Sequence, residues 1–390
     1  MSATVQPEVA VSPGSLSHRQ VRLVFVGLMS GMFLAALDQS IVGTALPTIV
    51  GELGGLQHYS WVATSYMLTS TASAPLYGKL SDLYGRRGVF QAAIVIFLVG
   101  SVLGGVAQDM TQLIVFRAVQ GLGAGGIMVL AMAIVGDIVS PRERGRYQGY
   151  VGTVFAASSI VGPLFGGFFV DHLTWRWIFY INLPVGAVAL VITTSALRLP
   201  FKRQEHAIDY LGSALLVAAV STFLLVTVWG GREHAWGSAT ILGLLAGSTA
   251  LLVLFILRER SAAEPVLPLR LFRSPIFSIS VAGLFIVGLS MFGAVIFLPL
   301  FLQLVTGASA TKSGLLMLPM MGGLMTASVV SGQIITRVGR YKIFPVAGAG
   351  IVSVGIALLS TLEADTSRVT SGVFMAITGA GIGLIMPVLM

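Results

Sequence analysis

Long apolar runs alternate with short polar segments along almost the whole sequence. Each run is close to the roughly 20 residues that a helix needs to cross the ~30 Å hydrocarbon core of a bilayer. Because a helix satisfies its own backbone hydrogen bonds, segments of this length are expected to cross lipid as helices. The pattern therefore predicts an all-α membrane protein. We assign twelve spans: 22–48, 60–79, 88–107, 112–137, 146–170, 177–197, 210–230, 238–257, 275–303, 313–335, 343–361 and 370–390.

Composition narrows the class of protein further. Only 10% of the 390 residues are charged, the mean hydropathy is +0.91, and there is no cysteine. A soluble domain is about one quarter charged, and a chain without cysteine has neither disulfides nor thiolate metal sites. The five histidines lie in the predicted tail and loops without the spacing of metal ligands. No nucleophile–base pair or phosphate-binding loop is present, so neither an enzyme, a metal site nor an ATP-driven pump is predicted.

The basic residues give the predicted orientation in the membrane. With the N-terminus in the cytoplasm, eighteen of the 23 Lys and Arg residues fall in cytoplasmic segments and four in outer loops. This is the positive-inside pattern, and it explains the net charge of +8 without nucleic-acid binding. The polar residues 1–21 include two prolines and are predicted to be a disordered cytoplasmic tail. The predicted location is a bacterial inner (cytoplasmic) membrane.

A charged turn bounded by glycines, Gly78 to Gly88, separates spans two and three, and 332–342 repeats it between spans ten and eleven. Two copies of one turn predict two copies of one helical bundle. The copies lie eight spans apart, so a hairpin within 199–273 is inserted between the bundles 22–198 and 274–390. A complete 6+2+6 arrangement needs two more helices than the sequence holds, and we expect the chain to be truncated after its twelfth.

Four segments stand out as motifs: the turn Gly78 to Arg87, the end of span one from Leu37 to Pro47, span four from Arg117 to Gly126, and span five with Gly149, Gly162, Pro163, Gly166 and Gly167. They resemble motifs of the major facilitator superfamily, and in particular of its fourteen-helix drug:proton antiporters. The fifth span departs from the antiporter pattern at Ser158, where glycine is common. The resemblance implies a major facilitator fold, no cofactor beyond a proton gradient, and export of lipophilic, cationic drugs by alternating access. It also implies a monomer whose partners are the substrate, protons and lipid.

Two other functions remain open from the sequence. The first is an exporter or flippase for one native lipid or secondary metabolite, with drugs as incidental cargo. The second is a non-transporting membrane sensor or channel. A channel is expected to carry charged or carbonyl-lined rings, whereas this sequence places almost no charge inside its spans.

Asp38 and Arg117 are the charged residues that lie well inside predicted spans. Intramembrane charge is costly and usually functional. A desolvated carboxyl group can take up and release a proton, unless Asp38 lies near enough to the outer surface to be hydrated. In the resembling exporters the position of Asp38 is implicated in proton coupling or cation recognition. Arg117 is either a structural pin or a control on proton movement, and the sequence leaves open whether the two side chains meet.

Charges at the inner helix ends form a second candidate site: Asp82, Arg86, Arg87 and Asp137. In the simpler interpretation they are solvated loop charges that set topology. The resemblance implies a conformational latch, in which Arg86 or Arg87 pairs with Asp137 while Asp82 caps a helix of the other half. Thr336 replaces the acidic residue in the second copy, so such a latch is asymmetric.

Glycines in spans four and five are predicted to serve helix packing. Gly121, Gly123 and Gly126 match the dinucleotide-binding pattern, but they lie inside an apolar span without a preceding strand. Small residues let membrane helices approach closely, which also accounts for Gly162 and Gly166. Pro163 removes a backbone donor and is expected to bend span five.

A substrate chamber is predicted from polar, aromatic and methionine side chains within the spans. Each of them alone more often bonds or packs against a neighbouring helix. As a set they describe a large, adaptable and weakly polar cavity. The candidates are Gln39, Tyr66, Phe155, Met291 and Gln303.

Overall fold

The computed structural model is helical throughout the residues that it describes, which are 18–389 without 56–57, 140–143, 198–208, 232, 263–264, 309–311, 313–314 and 340. A 3-10 turn, Leu269–Arg273, precedes α10. The helices are α1 (His18–Leu53), α2 (Tyr59–Tyr84), α3 (Arg86–Gly105), α4 (Met110–Ile138), α5 (Arg144–His172), α6 (Trp177–Tyr180), α7 (Asn182–Ala196), α8 (Tyr210–Trp229), α9 (Ala239–Ser261), α10 (Pro275–Leu304), α11 (Leu318–Val338), α12 (Ile343–Leu359) and α13 (Arg368–Leu389).

The predicted all-α membrane fold is confirmed, and each predicted span has a helix at its position. Span six is divided at Ile181 into α6 and α7. Among the described residues, nine helical segments are long and apolar enough to cross a membrane, and α10 and α12 hold shorter apolar stretches. The predicted tail was too long, because α1 already begins at His18. Residues 1–17 of the tail, and residues 198–208 where the first bundle meets the segment with the inserted hairpin, lie outside the described part of the chain.

Capping residues in the connecting segments define where several helices begin and end. The Asp109 side chain accepts a hydrogen bond from the Gln112 backbone N–H at 2.8 Å and so caps the start of α4. At the two related turns, Gly85 follows α2 with φ 91° and Gly339 follows α11 with φ 74°. Glycine adopts such positive φ values readily, unlike residues with a Cβ.

The helices pack in repeated groups of three. α4 lies against α2 and α3, and α1 lies in the same way against α5 and α7. In the second half α13 packs on α11 and α12 as α4 packs on α2 and α3. The repeated glycine turn therefore belongs to a repeated three-helix unit, in accordance with internal duplication. α5 also contacts α11 and α13 and so links the two halves, whereas the hairpin of α8 and α9 contacts α2.

The glycines of α4 make its tight packing possible. A Cβ on Gly121 would collide with the Tyr66 carbonyl of α2, and a Cβ on Gly123 would collide with the backbone of Phe97 in α3. At Gly126 the obstacle is the ring of Tyr77, 2.8 Å from the added carbon. The packing interpretation of these glycines is confirmed, since the space beside each of them is filled by a neighbouring helix.

Candidate functional site

A buried ion pair lies inside the first bundle. Asp38 of α1 and Arg117 of α4 expose 0% and 2% of their side chains, and Arg117 Nη1 donates to Asp38 Oδ2. The pairing that the sequence left open is therefore present. In this structure the Asp38 side chain is completely buried among the helices and is not open to the outer surface. Arg117 is the cation that the structure places on the Asp38 carboxylate.

Two amide side chains complete the coordination of the Asp38 carboxylate. Gln120 Nε2 donates to Asp38 Oδ1 at 2.7 Å, and Asn182 Nδ2 donates to the same oxygen at 2.9 Å. Gln120 Oε1 also accepts from Arg117 Nη1 at 2.8 Å, so the four side chains form a closed network. Burying a charge is tolerable only when it is paired and hydrogen-bonded, and here three donors satisfy the carboxylate.

Ser101 of α3 connects this network to the sixth span. Its Oγ accepts from Gln120 at 3.3 Å and from Asn182 at 2.9 Å, and it donates to the Phe179 carbonyl at 2.8 Å. Sequence reasoning missed Gln120 and Asn182, which donate to Asp38, and Ser101, which bonds both of these amides. Gln120 follows Arg117 by one helical turn, and the other two are polar residues within apolar spans. Those positions are the signal that could have identified them.

Tyr66 belongs to this site and lies beside the guanidinium. The Arg117 Cζ atom lies 4.2 Å from the centroid of the Tyr66 ring, which is a cation–π contact. The Tyr66 hydroxyl donates to the Ala35 carbonyl at 3.4 Å, and Arg117 Nε donates to the Val62 carbonyl at 3.4 Å. Tyr66 is 2% exposed, so it supports the ion pair and lines no open chamber in this conformation.

The remaining chamber candidates have different surroundings. Gln39 is exposed next to Asp38. Phe155 is half-buried against the core of the first bundle, and Met291 packs against Leu324 and its neighbours in the second half. The side chain of Gln303 lies outside the described residues. A common chamber formed by these side chains stays a prediction.

The glycine motif of α5 brings this helix against α1. A Cβ on Gly162 would lie 2.7 Å from Ser40 Cβ, and one on Gly166 would lie 3.1 Å from the Ile41 carbonyl. Pro163 lies within α5, which remains one helix from Arg144 to His172.

Of the two further glycines of that motif, only Gly167 has described surroundings, and it does not share this role. A Cβ on Gly167 would meet nothing within 4 Å, and the surroundings of Gly149 lie outside the description. The hydroxyl of Ser40 donates to the Ser158 carbonyl at 2.8 Å, so the serine at the departing position still permits close contact between α1 and α5.

Arg86 is the centre of the charged cluster at the inner helix ends. Its Nε lies 3.0 Å from Asp137 Oδ2, its Nη2 lies 3.1 Å from Asp82 Oδ1, and its Nη1 donates to Ser81 Oγ at 2.7 Å. Of the two arginines proposed for the pair with Asp137, the structure therefore uses Arg86 and not Arg87. The described partner of Asp82 is Arg86 of its own turn, and its expected contact with the other half stays a prediction.

Duplicated three-helix units around a buried charge are typical of membrane transporters. The family model of the Major Facilitator Superfamily matches residues 28–390. The chain belongs to this superfamily and is a multi-pass membrane protein.

Three curated relatives resemble the chain over most of its length. An uncharacterized MFS-type transporter of Mycobacterium tuberculosis (strain ATCC 25618 / H37Rv) is 45% identical over 96% of this chain and 54% of the relative. The Multidrug transporter protein MdtP of Bacillus subtilis (strain 168) is 42% identical over 94% of this chain and 68% of the relative. The Acurin A biosynthesis cluster MFS-type transporter of Aspergillus aculeatus is 37% identical over 93% of this chain and 67% of the relative. The chain thus spans about half to two thirds of their lengths.

Solved structures show the same fold at low sequence identity. The MFS proton:xylose symporter XylE, bound to 6-bromo-6-deoxy-D-glucose, has a TM-score of 0.64 at 13% identity, covering 96% of this chain and 82% of that one. At this identity the likeness concerns the fold alone.

Proposed function

We propose that the protein exports lipophilic, cationic compounds in exchange for protons, as a fourteen-helix antiporter of the cytoplasmic membrane of a bacterium. Its N-terminus lies in the cytoplasm and it works as a monomer. The carrying observation is the buried Asp38–Arg117 pair with its amide partners. The kinship with a multidrug transporter supports the cargo class.

Protonation of Asp38 is the step that couples the proton gradient to transport. A proton from the outer side neutralises the carboxylate and leaves Arg117 as an unpaired buried cation. Removing one partner of a buried pair costs about 3–5 kcal/mol. A shift of a two-state equilibrium from 1:99 to 99:1 requires about 5.5 kcal/mol, so one protonation supplies most of the bias between two conformations.

The conformations are related by rocking of the two bundles about a central substrate site. Protonation releases the substrate outside, and loss of the proton to the cytoplasm restores the ion pair and the affinity for substrate. The Arg86–Asp137 contact at the inner ends of α3 and α4 acts as a latch that favours one of the two states.

A second candidate is export of one native secondary metabolite or lipid. It is favoured by the fungal relative, whose name places it in a biosynthesis cluster. Both functions use the same proton-coupled cycle and differ in the number of compounds moved. A screen of cationic dyes, lipids and metabolites in vesicles with an imposed pH gradient separates them.

Proteoliposomes containing the purified chain test the coupling role of Asp38. The Asp38→Asn variant is expected to exchange ethidium down its gradient but to lose uphill transport driven by a pH gradient. Asp171→Asn is the matched control, because Asp171 is an exposed carboxylate at the outer end of α5. Uphill transport by Asp38→Asn at the control level, with equal reconstitution, would remove Asp38 from the coupling mechanism. Equal loss of exchange and uphill transport would assign Asp38 a structural role.

A further inference from the structure

A lateral groove of about 1370 Å³ lies between α1, α5 and α7. Its floor is one face of α1, and its sides are formed by the inner half of α5 and by the first turns of α7. Most of the lining is apolar; Arg22, Tyr147 and Tyr150 lie at one end, and Ser30 and Thr153 lie further along. The lining includes Arg22, Phe33, Tyr147, Tyr150, Val154 and Val188.

The groove is separate from the buried ion pair. Met29 and Phe33 lie within about 20° of Arg22 around the axis of α1, whereas Asp38 lies about 160° away, at 100° per residue. Asp38 faces α4 and α7 through its hydrogen bonds, while the groove opens on the opposite face of α1. Its occupant therefore meets the first bundle from its lipid-facing side.

Along α1, the residues that line the groove extend over a length close to one leaflet of a bilayer. Between Arg22 and Phe33, α1 rises by about 16 Å at 1.5 Å per residue. Half of a hydrocarbon core of ~30 Å is about 15 Å. The groove is also larger than the roughly 300–1,000 Å³ that is typical of pockets for drug-sized ligands. These dimensions fit acyl chains lying parallel to α1.

Charge and aromatic groups at the water-side end define the headgroup. Arg22 is exposed there, and the rings of Tyr147 and Tyr150 lie 4.7 and 5.6 Å from that of Phe25 in edge contacts. A guanidinium binds phosphate oxygens in a bidentate manner, and tyrosine is favoured at the membrane interface. The lipophilic cation proposed as cargo would be repelled by Arg22.

We propose that this groove is a binding site for a phospholipid with an anionic headgroup, whose phosphate lies on Arg22 and whose chains lie along Phe33 and Val188. The site is independent of the proposed transport mechanism. A bound lipid of this kind stabilises the folded bundle by mass action, because it binds the folded chain and not the unfolded one.

The test compares phosphatidylglycerol with phosphatidylcholine added to the purified chain in detergent. Lipid retained by the protein is counted by native mass spectrometry, and thermal unfolding is followed in parallel. Phosphatidylglycerol is expected to bind more tightly and to raise the unfolding temperature more. Arg22→Gln is expected to weaken phosphatidylglycerol binding about tenfold, as for loss of a charged hydrogen bond, and to leave phosphatidylcholine unchanged.

Two control variants make the outcome decisive. Arg260→Gln removes an exposed arginine in the last turn of α9 and should retain the preference for phosphatidylglycerol. Val188→Trp fills the groove and should reduce binding of both lipids, with correct folding checked by a single elution peak. The proposal is overturned if Arg22→Gln binds each of the two lipids as tightly as the wild-type protein does. It is also overturned if Arg260→Gln loses the preference for phosphatidylglycerol as Arg22→Gln does.

Discussion

The Asp38–Arg117 pair predicts strong energetic coupling between the two side chains. Arg117→Gln leaves a carboxylate that is 0% exposed with only Gln120 and Asn182 as described donors. Asp38→Asn leaves a buried guanidinium with its charge uncompensated. Each single variant is expected to lower the free energy of unfolding by about 3–5 kcal/mol. The double variant carries no charge at this site, so its loss should be about 2–3 kcal/mol smaller than the sum of the two.

The measurement is a double-mutant cycle by denaturant titration in detergent micelles, followed through the fluorescence of the five tryptophans. The control cycle uses the outer pair of Glu52 and Arg176, whose side chains are 50% and 30% exposed. Exposed pairs contribute about 0.2–1 kcal/mol, so this second cycle should show little coupling. Additivity of the Asp38 and Arg117 variants within about 0.5 kcal/mol would refute the argument that burial makes this pair interdependent.

Three further predictions follow from individual contacts. Asn182→Ala removes one donor to the buried Asp38 carboxylate and should lower the free energy of unfolding by about 1–3 kcal/mol; unchanged stability would show that the buried carboxylate does not need this donor. Gly121→Ala should lower the thermal stability of the purified protein by about 1–3 kcal/mol, because its Cβ meets the backbone of α2, whereas Gly167→Ala faces open space and should not. Asp137→Asn should change stability by less than about 1 kcal/mol, since the pair it breaks is partly exposed, yet it should alter the distribution of distances between spin labels at the inner ends of the two halves; an unaltered distribution would argue against a latch.

The helical architecture followed from local properties of the sequence. Apolar length predicted where each span lies, and the repeated glycines predicted that the turns after α2 and α11 are related. Both turns contain a glycine with positive φ, Gly85 and Gly339. Local patterns give helix ends less accurately, because fraying and capping depend on neighbours. The earlier start of α1 at His18 and the division of span six at Ile181 are examples.

Sequence also identified the two charged residues, since a carboxylate and a guanidinium inside apolar spans are conspicuous, but not that they pair. The polar character of Asn182 and Ser101 within apolar spans marked them as candidates, but it did not show that their partners are Asp38 and Gln120, because polar residues in a span most often bond their own helix or a neighbour. Tyr66 was predicted to line the substrate chamber because its partner, the Arg117 guanidinium, could not be read from the sequence. The position of each side chain on its helix is local information, whereas its partner depends on how the helices are rotated against one another.

The sequence alone thus determined the class of the protein, its spans and the two charges that must be compensated, because transfer of each residue into lipid has a cost of its own. Only the tertiary structure decided that one charge compensates the other, which amides surround them, and that Arg86 rather than Arg87 holds Asp137. Those choices arise from the close approach of α1, α3, α4 and α7, which their small residues allow and which no single helix specifies.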